Sequence, residues 1–159
     1  MTELIAAADE HFAWMLGADP PAPGLRLPPG GVEAAPVMEM LRGIAAKMRE
    51  NHPASAWLIV DGGEAVGLCS IIKTAHGEAE IGYGIAESRR KRGHATRAVR
   101  LMIAEILRDP KVRGIVAGTA VANIPSQRVL EENGFVKTGT RHDEEDGEVF
   151  VWRYRAKAN

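Results

Sequence analysis

The fold is decided by Glu80-Ile81-Gly82-Tyr83-Gly84-Ile85, followed closely by Arg90-Lys91-Arg92-Gly93-His94-Ala95. The first stretch predicts a β-strand and the second a basic turn, and apolar residues then recur at helical spacing over residues 93–108. A helix N-terminus leaves its first N–H groups without intrahelical partners and carries the positive end of the helix dipole. The segment therefore predicts an anion-binding site at a strand–turn–helix junction.

The turn before this helix carries basic residues at positions 89–92. A basic run of this kind is often only a solvated turn. Here Gly93 lets the backbone approach a ligand closely, and Ala95 keeps the first helical turn small. The combination predicts a site for a phosphorylated ligand.

Three motifs carry a family resemblance: Arg90-x-x-Gly93-x-Ala95, then Asn123-x-x-Ser126, then Asn133-Gly134-Phe135. Together they resemble the acyl-CoA-binding motifs of the GNAT superfamily of N-acetyltransferases. Within it they look similar to the branch of ribosomal-protein Nα-acetyltransferases. The resemblance is good over residues 78–135 and extends to Tyr154.

The resemblance implies an α+β GNAT-like fold, a mostly antiparallel twisted sheet flanked by helices with one βαβ crossover at the acyl-CoA site. The pattern of elements agrees, and we expect residues 1–159 to form a single N-acetyltransferase domain. Helical spacing predicts helices over residues 3–16 and 36–49. A hairpin follows over residues 56–73, and residues 135–154 form a closing antiparallel pair.

Composition limits the classes of partner. The formal net charge of the 159 residues is −1, which opposes a protein-wide nucleic-acid footprint. Cys69 is the only cysteine, so no internal disulfide can form, and a domain of this size needs no structural metal. The sequence has no apolar run of membrane-spanning length and no basic leader. We therefore expect a soluble cytoplasmic protein that binds neither nucleic acid nor membrane.

The resemblance implies acetyl-CoA as the acyl-donor substrate, with no metal. The backbone of residues 92–95 is expected to hold the pyrophosphate, and Arg97 or Arg128 to reach the outlying phosphate. Asn123 matches a position that bonds the pantetheine or its water. The full set of predicted cofactor-binding residues is Ile85, Arg90, Lys91, Arg92, Gly93, His94, Ala95, Asn123 and Arg128.

Acyl transfer to an amine requires a base, because a free alkylamine is almost wholly protonated at neutral pH. Glu80 is the leading candidate, since it lies on the strand that the resemblance places beside the thioester. Strand alternation puts Glu78, Glu80 and Gly82 on one face. A bulge in this strand would shift that register, so Glu78 is the reserve candidate. The alternative is that both carboxylates are only solvated.

The leaving thiolate benefits from a proton donor. In many relatives this is a tyrosine at the position that Leu130 occupies here. In the branch that the chain resembles, the serine matching Ser126 is the proposed donor, so Ser126 takes that role. A hydroxyl that caps the helix start is the alternative for Ser126. Tyr83 is the other candidate acid, although core packing explains it equally well.

These features predict an acetyl-CoA-dependent N-acetyltransferase that acts on a primary amine, either a protein N-terminus or a small molecule. A non-catalytic acyl-CoA-binding or sensing module accounts for the same motifs. The acidic residues 143–146 lie near the expected acceptor opening and favour a cationic acceptor. Either a monomer or a homodimer fits the sequence.

Overall fold

A computed structural model describes the backbone of residues 1–155 and the side chains of residues 1–154, so the last four residues of the predicted domain lie outside it. The strands are β1 (Thr2–Ala6), β2 (Ala56–Asp61), β3 (Glu64–Ala75), β4 (Glu78–Ile85), β5 (Gly114–Ala120), β6 (Val136–Asp143) and β7 (Gly147–Arg155). The helices are α1 (Asp9–Met15), α2 (Ala35–Met48), α3 (His94–Ile106) and α4 (Ile124–Glu132), with a 3-10 turn at Glu87–Arg89.

The strands form one seven-stranded sheet in the order β1-β2-β3-β4-β5-β7-β6. Strands β4 and β5 pair in parallel, and the other neighbours pair antiparallel. A parallel pair needs a crossover, which α3 supplies. The predicted α+β architecture with one βαβ unit is confirmed.

Each face of the sheet carries its own apolar core. On one face α3 and α4 pack through residues such as Met102 and Leu130 against Ile115 of β5. On the other face α1 and α2 pack through Phe12 and Met38 against the β2–β3 half of the sheet. The half of that face over β4–β7 has no helix packed on it among the described residues, and it forms a groove.

The predicted helix over residues 3–16 is wrong in its first half. Residues Thr2–Ala6 form β1, which pairs with β2, and α1 begins only at Asp9. The helical spacing of apolar residues is real, but β2 is apolar and buried from Ala56 to Val60, and its outer backbone groups need hydrogen-bond partners. Pairing with β2 overrides the local pattern.

The bulge that was considered for β4 lies in β3 instead. The β3–β4 register shifts between Ile71 and Lys73, while β4 itself stays regular. Its alternation is therefore preserved: Ala79 and Ile81 are buried in the α3 core, and Glu78 and Glu80 face the groove. The predicted face of the two carboxylates is confirmed.

Candidate active site

The parallel strands β4 and β5 separate partway along their length. Their ladder runs from Glu78↔Gly114 to Ile81↔Ala117 and ends there, although β4 continues to Ile85 and β5 to Ala120. Beyond that point the two strands diverge, and the β4 backbone over residues 82–85 keeps β3 as its only ladder neighbour among the described strands. We call this opening the fork.

The basic turn leads from the open end of β4 into α3. Lys91 and Gly93 have positive φ angles of 66° and 79°, and Gly93 is the N-cap residue of α3. The helix begins at His94, so the N–H groups of His94 and Ala95 belong to its first turn and lack intrahelical acceptors. The predicted helix start is thus present beside the fork.

Two arginines of this region brace the turn with their guanidinium groups. Arg97 donates from Nε to Thr2 Oγ1 at 2.9 Å and from Nη2 to the Arg92 carbonyl at 3.0 Å. Arg90 donates from Nε to the Ile85 carbonyl at 3.2 Å. Arg90, Lys91, Arg92 and Arg128 are exposed.

His94 points its ring away from solvent, with 4% of its surface exposed. Its Nδ1 lies 3.3 Å from Thr2 Oγ1 and 3.2 Å from Arg97 Nη2. Burial, and then the neighbouring Arg97 charge, lower the pKa of His94 below its usual value. A neutral, buried ring leaves only the backbone of His94 to face a ligand.

Glu78 and Glu80 line the floor of the groove, which has a volume of about 400 Å³. Glu80 accepts hydrogen bonds from Arg141 at 3.4 and 3.2 Å. Glu78 accepts from Arg153 at 2.9 and 3.3 Å. Glu80 lies one position before the last β4–β5 ladder pair, whereas Glu78 is the first residue of the strand.

On the opposite face of the fork, the two candidate acids contact each other. The hydroxyls of Tyr83 and Ser126 are 2.7 Å apart, and Tyr83 also donates to the Ser126 carbonyl at 3.3 Å. Burial raises the pKa of Tyr83 to about 12, against the opposing effect of its bond to Ser126. Tyr83 is therefore a protonated phenol at neutral pH, held against the α4 helix.

Helix α4 extends from the end of β5 towards the start of α3. Asn123 caps it, with Oδ1 accepting from the Ser126 N–H at 3.2 Å, so the cap is Asn123 and the Ser126 hydroxyl is bonded to Tyr83. At the other end Asn133 donates to the Thr96 carbonyl at 3.1 Å. Leu130 of α4 is fully buried in the core.

Sequence reasoning missed the arginine partners of the carboxylates. Arg141 lies on β6 and Arg153 on β7, far from β4 in the chain. Strand alternation in the sequence does place both arginines on the same face of the β6–β7 hairpin. Without the strand order, however, the sequence does not indicate that this face meets the carboxylates of β4.

Within the described part of the chain, no group of three His, Cys, Asp or Glu side chains is placed to hold a metal ion. None of the helices over residues 1–155 combines the length and the apolar character needed to cross a membrane.

The sequence matches the family model of the acetyltransferase (GNAT) domain over residues 5–136. The chain belongs to this family. The predicted family membership is thereby confirmed.

Individual relatives agree with this membership. The chain is 39% identical over 74 residues to the probable N-acetyltransferase YjcK of Bacillus subtilis, a match that covers 46% of this chain and 41% of that protein. The chain thus spans less than half the length of this curated relative.

Solved structures extend the likeness to nearly the whole chain. Mycobacterium smegmatis RimJ in complex with CoA-disulfide is 26% identical, with a TM-score of 0.64 over 74% of this chain and 60% of RimJ. RimL, a ribosomal L7/L12 alpha-N-protein acetyltransferase solved with coenzyme A, is 20% identical, with a TM-score of 0.71 over 97% and 93% of the chains. The aminoglycoside acetyltransferase AAC(6')-Ib reaches 0.70 at 16% identity, over 98% and 95%. At these identities the last two show a shared fold alone.

Proposed function

We propose that this chain transfers an acetyl group from acetyl-CoA to a primary amine. The observation that carries the proposal is the fork between β4 and β5. It is bordered by the first turn of α3, by Glu80 on the groove face and by the Tyr83–Ser126 pair on the helix face.

The chain's own groups fit the acyl donor. The first-turn N–H groups at His94 and Ala95 and the basic turn suit the phosphates of coenzyme A. The β4 backbone over residues 82–85 offers N–H and C=O groups that its neighbour β5 does not use, which suits an extended amide-containing arm. Both groups lie at the same end of the sheet, where a single ligand can reach them.

Glu80 is the proposed base. It would accept a proton from the attacking amine, directly or through a water, because the protonated amine has no lone pair to attack the thioester carbonyl. Its position one residue before the fork fits this role better than that of Glu78. Backbone N–H groups at the fork would stabilise the oxyanion that develops on the carbonyl oxygen.

Ser126 is the proposed acid for the departing thiolate. When the single Tyr83 O–H donates to Ser126 Oγ instead of the Ser126 carbonyl, the Ser126 O–H is free to donate to sulfur. The same contact allows the reverse order, with Tyr83 as the terminal donor.

The acceptor is proposed at the level of a class, a protein N-terminus or a small-molecule amine. The exposed acidic residues 144–146 favour a cationic acceptor. RimL and AAC(6')-Ib share this fold yet are named for a ribosomal protein and for aminoglycosides, so the fold leaves the acceptor open.

The test is release of coenzyme A thiol from acetyl-CoA in the presence of N-terminal peptides, polyamines and aminoglycosides, one class at a time. We expect amine-dependent thiol release, with mass spectrometry showing one added acetyl group on the amine. A thermal shift with acetyl-CoA but no thiol release with any amine would instead support the non-catalytic acyl-CoA-binding module.

A further inference from the structure

The Arg141 side chain extends across two neighbouring strands of the sheet. Arg141 belongs to β6, and the strand order places β7 and β5 between β6 and β4. Its guanidinium nevertheless reaches Glu80 on β4, with Nη1 3.4 Å from Oε1 and Nη2 3.2 Å from Oε2. The two donors face the two carboxylate oxygens, an arrangement that fixes the orientation of the carboxylate as well as its position.

The Arg141 guanidinium lies over Gly118 of β5. A Cβ atom at Gly118 would lie 3.0 Å from Arg141 Nη2 and 3.0 Å from Val149 Cγ1, closer than most real Cβ contacts. The φ angle of Gly118 is not in the left-handed region, so backbone conformation does not explain a glycine here. The absence of a side chain at Gly118 leaves the space in which the guanidinium lies.

A second ion pair of the same type provides a comparison. Arg153 of β7 reaches Glu78, and the exposed side-chain fractions of the two carboxylates are equal at 20%. Both pairs connect the β6–β7 hairpin to β4. Only the Arg141–Glu80 pair lies at the fork, because Glu80↔Val116 is next to the last ladder pair.

We infer that Arg141 is a positioning residue that aims the Glu80 carboxylate at the fork, and that Gly118 keeps open the space Arg141 needs. The inference rests on the proposed function and on Glu80 as its base. An unrestrained glutamate samples several rotamers, and general-base catalysis depends on holding the carboxylate in hydrogen-bond reach of the amine.

A double-mutant cycle on Arg141 and Glu80 tests the inference in the full chain. We expect Arg141→Met to lower kcat by about tenfold or more while the KM for acetyl-CoA changes by less than about twofold. In the Glu80→Gln background the same change should lower kcat by less than about twofold, because no carboxylate remains to be aimed. Arg153→Met is the matched control, and its kcat should stay within about twofold of wild type.

Two further variants distinguish an Arg141 that orients the Glu80 carboxylate from an Arg141 that only connects β6 to β4. Gly118→Ala retains Arg141 but obstructs its path, and should lower kcat in the same direction as Arg141→Met. Arg141→Lys retains the charge without the paired donors, and should restore only part of the loss. Equal losses for Arg141→Met and Arg153→Met, or additive losses for Arg141→Met and Glu80→Gln, would overturn the inference. Absence of turnover in the wild-type protein would instead refute the proposed function.

Discussion

The two halves of β4 differ in their neighbours although they belong to one regular strand. Over Glu78 to Ile81 the strand is paired on both sides, with β3 and with β5. Over residues 82–85 the pairing with β3 continues and the pairing with β5 stops. The first half connects β3 to β5, and the second presents at the fork backbone groups that β5 does not pair. A site can therefore arise where a strand omits ladder bonds, without a dedicated loop.

Residues 82–85, which we call the open half of β4, suit contact with a ligand. Gly82 and Gly84 alternate with Tyr83 and Ile85, so one face carries almost no side-chain bulk while the other packs towards α3 and α4. Backbone groups that β5 leaves unpaired need another partner. Arg90 supplies one at the Ile85 carbonyl, and water or a ligand can supply others. The closed half of β4, Glu78 to Ile81, instead carries two carboxylates at its groove-facing positions, and Glu80 is the nearer of the two to the fork.

The largest expected effect separates the two carboxylates of the closed half. Glu80→Gln should lower kcat by about 10²- to 10⁴-fold, the usual contribution of a general base, while acetyl-CoA binding persists. Steady-state thiol release gives kcat, and thermal shift gives binding. Glu78→Gln is the matched control, because it also removes the negative charge from one arginine–carboxylate ion pair. It should leave kcat nearly unchanged. The reverse ranking would make Glu78 the base.

The next effect is expected on the helix face of the open half. Ser126→Ala should lower turnover by about tenfold to a thousandfold, or about 1.4 to 4 kcal/mol, with little change in cofactor affinity. If Tyr83 only holds Ser126, Tyr83→Phe should lower turnover less than Ser126→Ala. A larger loss in Tyr83→Phe would identify the phenol as the terminal donor, and wild-type rates in both would exclude the pair from catalysis.

A third prediction concerns the helix start next to the open half. Acetyl-CoA at a hundredfold excess over its Kd should stabilise the wild type by roughly 2.7 kcal/mol, and Gly93→Glu should abolish this shift by placing a carboxylate beside the phosphates. Gly62→Glu is the control for backbone strain, since Gly62 also has a positive φ, of 58°, in the β2–β3 turn. A folded Gly93→Glu protein with an undiminished shift would place the ligand elsewhere.

The smallest effect is a pH dependence of stability from His94. Its pKa is lowered in the folded protein, whereas the unfolded chain protonates it near 6.5. Stability is therefore complete above that pH and declines as acidification below it favours the protonated, unfolded chain. The fall in Tm between about pH 7.5 and 5.5 should be smaller in His94→Gln than in the wild type. An identical fall in Tm in both proteins would show that groups other than His94 cause the loss of stability at acidic pH.

Local signals in the sequence predicted much of the fold and part of the site. Gly93 before an apolar-striped helix depends on its immediate neighbours, and the helix is found as predicted. The cap at Asn123 is equally local, because its side chain bonds the Ser126 N–H three residues on. The strand β1 and the partner of Glu80 depend on distant residues. Only the pairing with β2 converts residues 2–6 into a strand, and only the sheet order brings Arg141 to Glu80.

The bulge position is a similar case. One extra residue in β3, between Ile71 and Lys73, leaves the alternation of β4 unchanged. The sequence of β4 alone contains no information about which of two paired strands accommodates the irregularity. The faces on which Glu78 and Glu80 lie therefore depend on a neighbouring strand as well as on β4.

Thr2 connects the edge strand β1 to the basic turn. Its hydroxyl accepts a hydrogen bond from Arg97, which also donates to the Arg92 carbonyl. Local opening of part of a structure costs less free energy than global unfolding. Opening of β1 would separate Thr2 from Arg97 and remove one of the contacts that hold Arg97 at the turn. We therefore expect a ligand bound at the turn to slow amide hydrogen exchange in β1.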